Sequence, residues 1–155
     1  MMKHRQLGLS TVEFAIVAAA LFLLILGVIE VGRAFFVASA LDEASRRGAR
    51  MAAVCPINDP AIAQAAAFDN SLSPDLDSTD IVVEYLDDAG GLVGNPTDPA
   101  GYRLIRYVRV SVAGYQHQIF VPLIASLSTF TMPDYATVLP RESLGVPRAG
   151  AIVPC

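Results

Sequence analysis

The chain has 155 residues, room for one small domain and one membrane segment. Hydrophobic residues make up 54%, with the excess in the first third, and the formal net charge is −4. Residues 1–55 hold six Lys/Arg against four Asp/Glu, whereas residues 56–155 hold five Arg against eleven acids. An acidic distal part argues against nucleic-acid binding, which needs a basic face to displace counterions from phosphates.

Residues 1–8 form a short head carrying Lys3, His4 and Arg5. Positive charge ahead of an apolar run tends to stay in the cytoplasm. One acid, Glu13, precedes a charge-free run from Phe14 to Ile29. That run is a little short of the roughly 20 residues that span a bilayer. Beyond it only Glu30 and Arg33 interrupt the apolar character until Asp42. Three residues apart, Glu30 and Arg33 can pair on a helix. Either Glu30 marks the membrane exit, or a tilted span passes it and the pair lies at the outer interface.

The helical pattern continues through "ALDEASRRGARMAAVCP". Asp42 and Glu43 stand four residues before Arg46 and Arg47, the favourable order for helical ion pairs. Ala40, Ala44, Gly48 and Ala52 make a row of small residues at spacing four, which lets another helix or a sheet approach closely. Pro56 ends the run. The expectation is one helix from Ser10 to Val54, roughly 68 Å long at about 1.5 Å per residue. Its first half would lie in lipid and its second half would be amphipathic.

The distal part alternates short elements with turns. "DPAIAQAAAF" predicts a short helix over Pro60–Phe68, and "SPDLDSTD" a loop. "IVVEYL" predicts a strand over 81–86, and "DDAGGLVGNPTDPAG" a turn-rich loop. The best strand signal covers 103–115, where Val108, Val110 and Val112 alternate with Arg109 and Ser111. Next come a turn at Pro122, a strand near Leu127–Met132, a last strand at "YATVL", and a tail rich in Pro and Gly. The fold class is therefore α+β: a long N-terminal helix with three or four antiparallel strands packed on it. Residues 9–55 form the helix and 56–155 the extracytoplasmic domain.

No catalytic constellation is visible, and no cofactor or metal is expected. His117 has no nearby Cys, and His4 lies in the head. There is no G-x-S-x-G and no phosphate-binding glycine loop. Asp69, Asp75, Asp77 and Asp80 suggest calcium, but "DLDSTD" lacks the glycine and distal glutamate of an EF-hand, so a solvated acidic loop is the better reading. Arg103, Arg106 and Arg109 read as edge or surface charges. The two cysteines, Cys55 and Cys155, read as one disulfide in an oxidising compartment; the other reading is two free thiols.

Three processing routes compete for the N-terminus. A secretory cut at Ala38-Ser39-Ala40 would need a c-region holding Glu30, Arg33 and two Phe, and would split the helix. An uncut anchor is the second. The third is a cut after Gly8, leaving Leu9 as the new N-terminus and Glu13 as the fifth residue.

The third route has a pattern behind it. Gly8, Glu13 with Phe14, and then an apolar helix resemble a type IV prepilin signal. The segment "GLSTVEFAIVAAALFLLILGVIEVGRAFFVASALDEASRRGARMAA" resembles the N-terminal region of TadE-like pseudopilins. Their opening is matched by Gly8, Val12, Glu13, Phe14 and Ala15, and their middle step by Glu30, Gly32, Arg33, Ala34 and Phe35. Their close is matched by Ser45, Arg46, Gly48, Ala49 and Arg50, with Ser45 in place of the usual Ala.

The resemblance implies a minor subunit of the Tad/Flp tight-adherence pilus system, cut after Gly8 by a prepilin peptidase. Such a protein sits in the lipid of the inner membrane, N-terminus inside and domain outside. Its partners would be a TadF-like pseudopilin, the major pilin and the inner-membrane platform. Neighbouring subunits would be met through Glu13, Glu30, Arg33, Ala44 and Gly48. Cleavage would create a charged amine at Leu9 among apolar helices, costly unless paired, and Glu13 of a neighbour would neutralise it. Alternatively, Ser10 and Glu13 form a capping box on their own helix. From a different class, the chain would be an uncleaved membrane-tethered module whose domain binds an envelope partner.

Overall fold

The helical signal around Phe14 runs unbroken to Val54 in a computed structural model of the chain, which describes residues 9–68, 76–120, 129–146 and 154–155. Helix α1 spans Leu9–Val54, 46 residues and about 69 Å. Its last turn has carbonyls without partners in the helix, and a distant segment supplies the donors. Ala53 O accepts from the backbone N–H of Glu142 at 3.0 Å and of Leu144 at 3.3 Å. Val54 O accepts from Gly145 N–H at 2.6 Å and from Ser143 Oγ at 3.1 Å. Gly145 has a φ of +77°, and a Cβ there would run into the Pro56 ring, so only glycine suits both the turn and the contact.

Three strands form an antiparallel sheet on the second half of α1. They are β1 (Ile81–Leu86), β2 (Tyr107–Val112) and β5 (Tyr135–Pro140), in the order β1-β2-β5. The register sets Ile81, Val83 and Tyr85 against Val112, Val110 and Val108. On the other side Tyr135, Thr137 and Leu139 oppose the same three valines. These residues share the face turned to the helix, and Val108, Val110 and Val112 are buried against Leu41, Ala44, Ala49 and Ala52. β5 is an edge strand, and Pro140 is its last residue, where a missing N–H costs least. A separate two-stranded hairpin, β3 (Gln116–Gln118) with β4 (Thr129–Thr131), follows β2.

Two short helices complete the fold. α2 covers Pro60–Ala66, and the Asp59 side chain accepts the Ala61 N–H at its start. It ends two residues before the expected Phe68, a normal uncertainty at a helix terminus. α3 covers Pro99–Leu104; it starts inside the segment expected to be only a turn-rich loop and runs into the one expected to be a strand. Asp98-Pro99-Ala100 repeats the Asp59-Pro60-Ala61 start signal, with proline at the first helical position. The strand expected over 103–115 is correspondingly shorter. Arg103 and Leu104 belong to α3, and Gly114, at φ +73°, separates β2 from β3.

Two of the acids considered for calcium, Asp77 and Asp80, serve local structure. Asp77 accepts the Ser78 N–H, and the Asp80 side chain accepts the Asp77 N–H at 3.0 Å, which caps a 3-10 turn over Ser78–Asp80. Asp69 and Asp75 lie outside the described residues, as do the turn at Pro122 and the first part of the strand expected from Leu127. Of the arginine trio, Arg109 forms an ion pair with Glu84 of β1 at 3.0 Å. Arg106 donates to the Arg103 carbonyl at 3.0 Å.

Candidate functional site

The first half of α1 stands clear of the domain. Its large apolar side chains from Val12 to Val31 are exposed, with Phe14 at 73%. By length and composition the helix is apolar enough to cross a membrane, and none of the described residues covers that stretch. An exposed apolar surface of this extent has no stable solution in water.

Glu13 sits at the head of this stretch, exposed on α1. Among the described residues it has no hydrogen-bond or ion-pair partner. Ser10 lies inside α1 rather than before it, which removes it from the cap position that an S-x-x-E box requires. Leu9 is the first residue of α1, and Gly8 lies outside the described residues. The other three processing residues, Leu9, Glu13 and Phe14, are thus at one end of the membrane-length helix.

Glu30 and Arg33 pair on α1 as their spacing predicts, with Arg33 Nη1 donating to both carboxylate oxygens at 3.1 and 3.0 Å. They do not stand alone. His117 Nε2, from β3, lies 3.1 Å from Glu30 Oε1. The carboxylate already accepts from Arg33 and has only acceptors to offer, so Nε2 carries the hydrogen and donates. The backbone N–H of Phe120 donates to Glu30 Oε2 at 3.4 Å. The Arg33 guanidinium lies 4.4 Å from the centre of the Phe120 ring. His117 is 2% exposed, and its ring meets Phe130 of β4 edge-on at 5.2 Å. The hairpin is therefore fastened to α1 where the exposed apolar stretch gives way to the packed half. Alternation of exposed Gln116 and Gln118 around His117 is the sequence signal for a buried histidine, and a buried ring nitrogen demands a partner. Nothing in the sequence named that partner.

Ala44 and Gly48, expected at a subunit contact, are buried inside the chain together with Ala40 and Ala52. A Cβ at Gly48 would stand 2.8 Å from Val110 Cγ1 and 3.0 Å from Ala66 Cβ. The row of small residues lets the chain's own sheet and α2 approach, and it offers no free surface to a neighbour. Ser45, one helical position from Ala44, is also fully buried. Its Oγ donates to the Asp42 carbonyl at 2.8 Å and shares a 2.8 Å hydrogen bond with Thr137 Oγ1 of β5. The replacement of the usual Ala by Ser is a helix-to-sheet contact that helix propensity alone did not reveal.

At the far end of α1, Cys55 and Cys155 are joined in a disulfide, with Cα atoms 5.7 Å apart and a sequence separation of 100. The Cys155 N–H donates to Asp59 Oδ2 at 3.0 Å. Asp59 thereby holds both the start of α2 and the end of the chain. No cluster of three His, Cys, Asp or Glu able to hold a metal is found among the described residues.

No curated protein and no solved structure matches the chain. The model of the family described as TadE-like protein matches residues 8–50, all but the first of which lie on α1. The match takes in Gly8, Glu13, Glu30, Arg33, Ala44 and Gly48 and stops short of the β-rich domain. Over this helix, and there alone, the chain is similar to the TadE-like family.

Proposed function

We propose that the chain is a minor pseudopilin needed to assemble a Tad/Flp-type pilus. The observation that carries this reading is the state of Glu13. It is an exposed acid without a partner among the described residues, at the head of a membrane-length helix and inside the segment that matches the TadE-like family. A lone carboxylate beside an apolar span is expensive to carry into a stack of helices unless a cation waits for it there.

A prepilin peptidase cuts after Gly8 on the cytoplasmic side. Glycine suits a cut site because it enters an extended conformation without a side chain to place. The new amine at Leu9 of one subunit then meets Glu13 of the next, which neutralises both and sets their register. The protein is thus the substrate of an enzyme rather than an enzyme. It sits in the inner membrane with its N-terminus inside and its domain in the periplasm. The Cys55–Cys155 disulfide supports that side for the domain, since such bonds persist in oxidising compartments. The TadF-like pseudopilin, the major pilin and the inner-membrane platform are its partners.

Deletion tests the reading. Cells without the protein are expected to lose surface pili, and the tagged protein is expected to co-purify with the TadF-like subunit and the platform. Normal piliation with no co-purified pilus component would contradict it and favour the tethered binding module.

A further inference from the structure

We propose that the β3–β4 hairpin and α1 together form an aromatic collar that rests in the outer lipid interface, with Phe35, Phe36 and Phe120 in the boundary between headgroups and acyl chains. The proposal rests on the reading of α1 as a membrane anchor and adds where the bilayer ends and what meets it.

The exposed apolar surface of α1 does not stop at Ile29. Val31, Phe35 and Phe36 are 57%, 70% and 58% exposed, and the first buried residue of the helix is Ala40. A hydrocarbon core about 30 Å thick takes up about 20 helical residues, which Val12 to Val31 fill. Phe35 and Phe36 then fall one turn further out, in the interfacial zone.

The domain presents a further ring about one helical turn nearer the core. Phe120 is 69% exposed, and it is fixed to this level twice: by its N–H on Glu30 and by its ring against Arg33. At about 100° per residue, Phe35 lies about 170° and Phe36 about 90° round the helix from the centre of the Glu30–Arg33 face. Phe120 covers the hairpin side. Apolar rings thus stand around the helix within about one turn of each other. A partner helix would be met by a single stripe, whereas lipid surrounds the helix and is met on every side.

Charge at the outer end of the span is no obstacle to this placement. Glu30 accepts from Arg33, His117 and Phe120, so its carboxylate needs no water to complete its hydrogen bonds. Arg33 keeps 38% of its side chain exposed and can reach headgroup phosphates from behind the Phe120 ring. Aromatic and apolar side chains seated a few ångströms into the boundary, flanked by a cation, are the usual composition of an interfacial contact.

The chain has no tryptophan, so single-tryptophan variants report cleanly. The full chain would be reconstituted in phosphatidylcholine vesicles brominated either near the headgroup or near the acyl-chain end, with iodide as the aqueous quencher. Phe36→Trp and Phe120→Trp are expected to lose most of their emission to the shallow bromines and little to iodide. Leu24→Trp should be quenched best by the deep bromines, and Val138→Trp, on the outer face of the sheet, by iodide alone. Quenching of Phe120→Trp by iodide and not by lipid would overturn the collar. So would protection of Phe36→Trp and Phe120→Trp from both quenchers, the result expected if a neighbouring subunit covers them. Loss of deep quenching at Leu24→Trp would instead bring down the anchor reading itself, and the collar with it.

Discussion

Glu13 and Glu30 are both acids on an apolar helix, and their surroundings assign them different work. Glu30 is held by Arg33, His117 and Phe120 of its own chain, so its charge is spent on fastening the hairpin. Glu13 has no such neighbours among the described residues and faces outward. Replacement by glutamine tests the difference, because Glu13→Gln keeps the size and hydrogen-bonding capacity and deletes the charge. The variant is expected to be processed to the same N-terminus as the wild type while surface pili are lost, as read by immunoblot and electron microscopy. Pili in normal number would remove intersubunit pairing as its role. Gly48 belongs to the same scale. Val110 and Ala66 occupy the space any side chain there would need, so Gly48→Val must displace the sheet or α2. Overpacking of this kind costs about 1–3 kcal/mol, and the unfolding midpoint of the detergent-solubilised chain should fall accordingly.

The elements divide α1 into a bare half and a packed half, with β3 at the seam. Much of this was legible in the sequence. The charge-free run and Pro56 bound the helix, the small-residue row marks its packed face, and the valine alternation marks β2. Local patterns carried those elements because each depends on its own residues. What remained hidden depends on residues far apart in the chain. Glu30 and His117 are 87 positions apart, Ser45 and Thr137 are 92 apart, and no spacing rule joins them. The same holds for the capping of Val54 by Ser143 and Gly145. α3 was missed for another reason: glycines and prolines around it outweighed the Asp98-Pro99 start. The assignment of Ala44 and Gly48 to a subunit contact used a correct signal, close approach, and the wrong approaching surface.

The disulfide also acts at the scale of elements. It closes a loop of 100 residues from the end of α1 to Cys155, and it lies beside the segment 142–145 that caps the helix. A crosslink over about 100 residues removes much of the unfolded chain's freedom, and loss of such a bond typically costs about 2–5 kcal/mol. Cys155→Ser is expected to lower the stability of the domain by that amount in chemical denaturation, and reductant should do the same to the wild type but not to the variant. An unchanged midpoint would mean that the tail is held by its hydrogen bonds alone.

As a whole, the molecule is a small α+β domain carried on one end of a helix whose other end is bare. The core closes within the chain, between the sheet, α2 and the second half of α1, while the first half of α1 and Glu13 are uncovered among the described residues. This asymmetry is what a subunit of a helical stack requires: one end to be inserted and one end to be displayed. The arrangement works as proposed only if the chain begins at Leu9, since the amine that Glu13 is to neutralise is created by the cut after Gly8. The most direct measurement is the intact mass of the protein purified from its own membrane, with sequencing of its N-terminus. The account predicts a chain that lacks residues 1–8 and starts at Leu9. A chain that still carries the Met1–Gly8 head, or one that starts at Leu41, would contradict it.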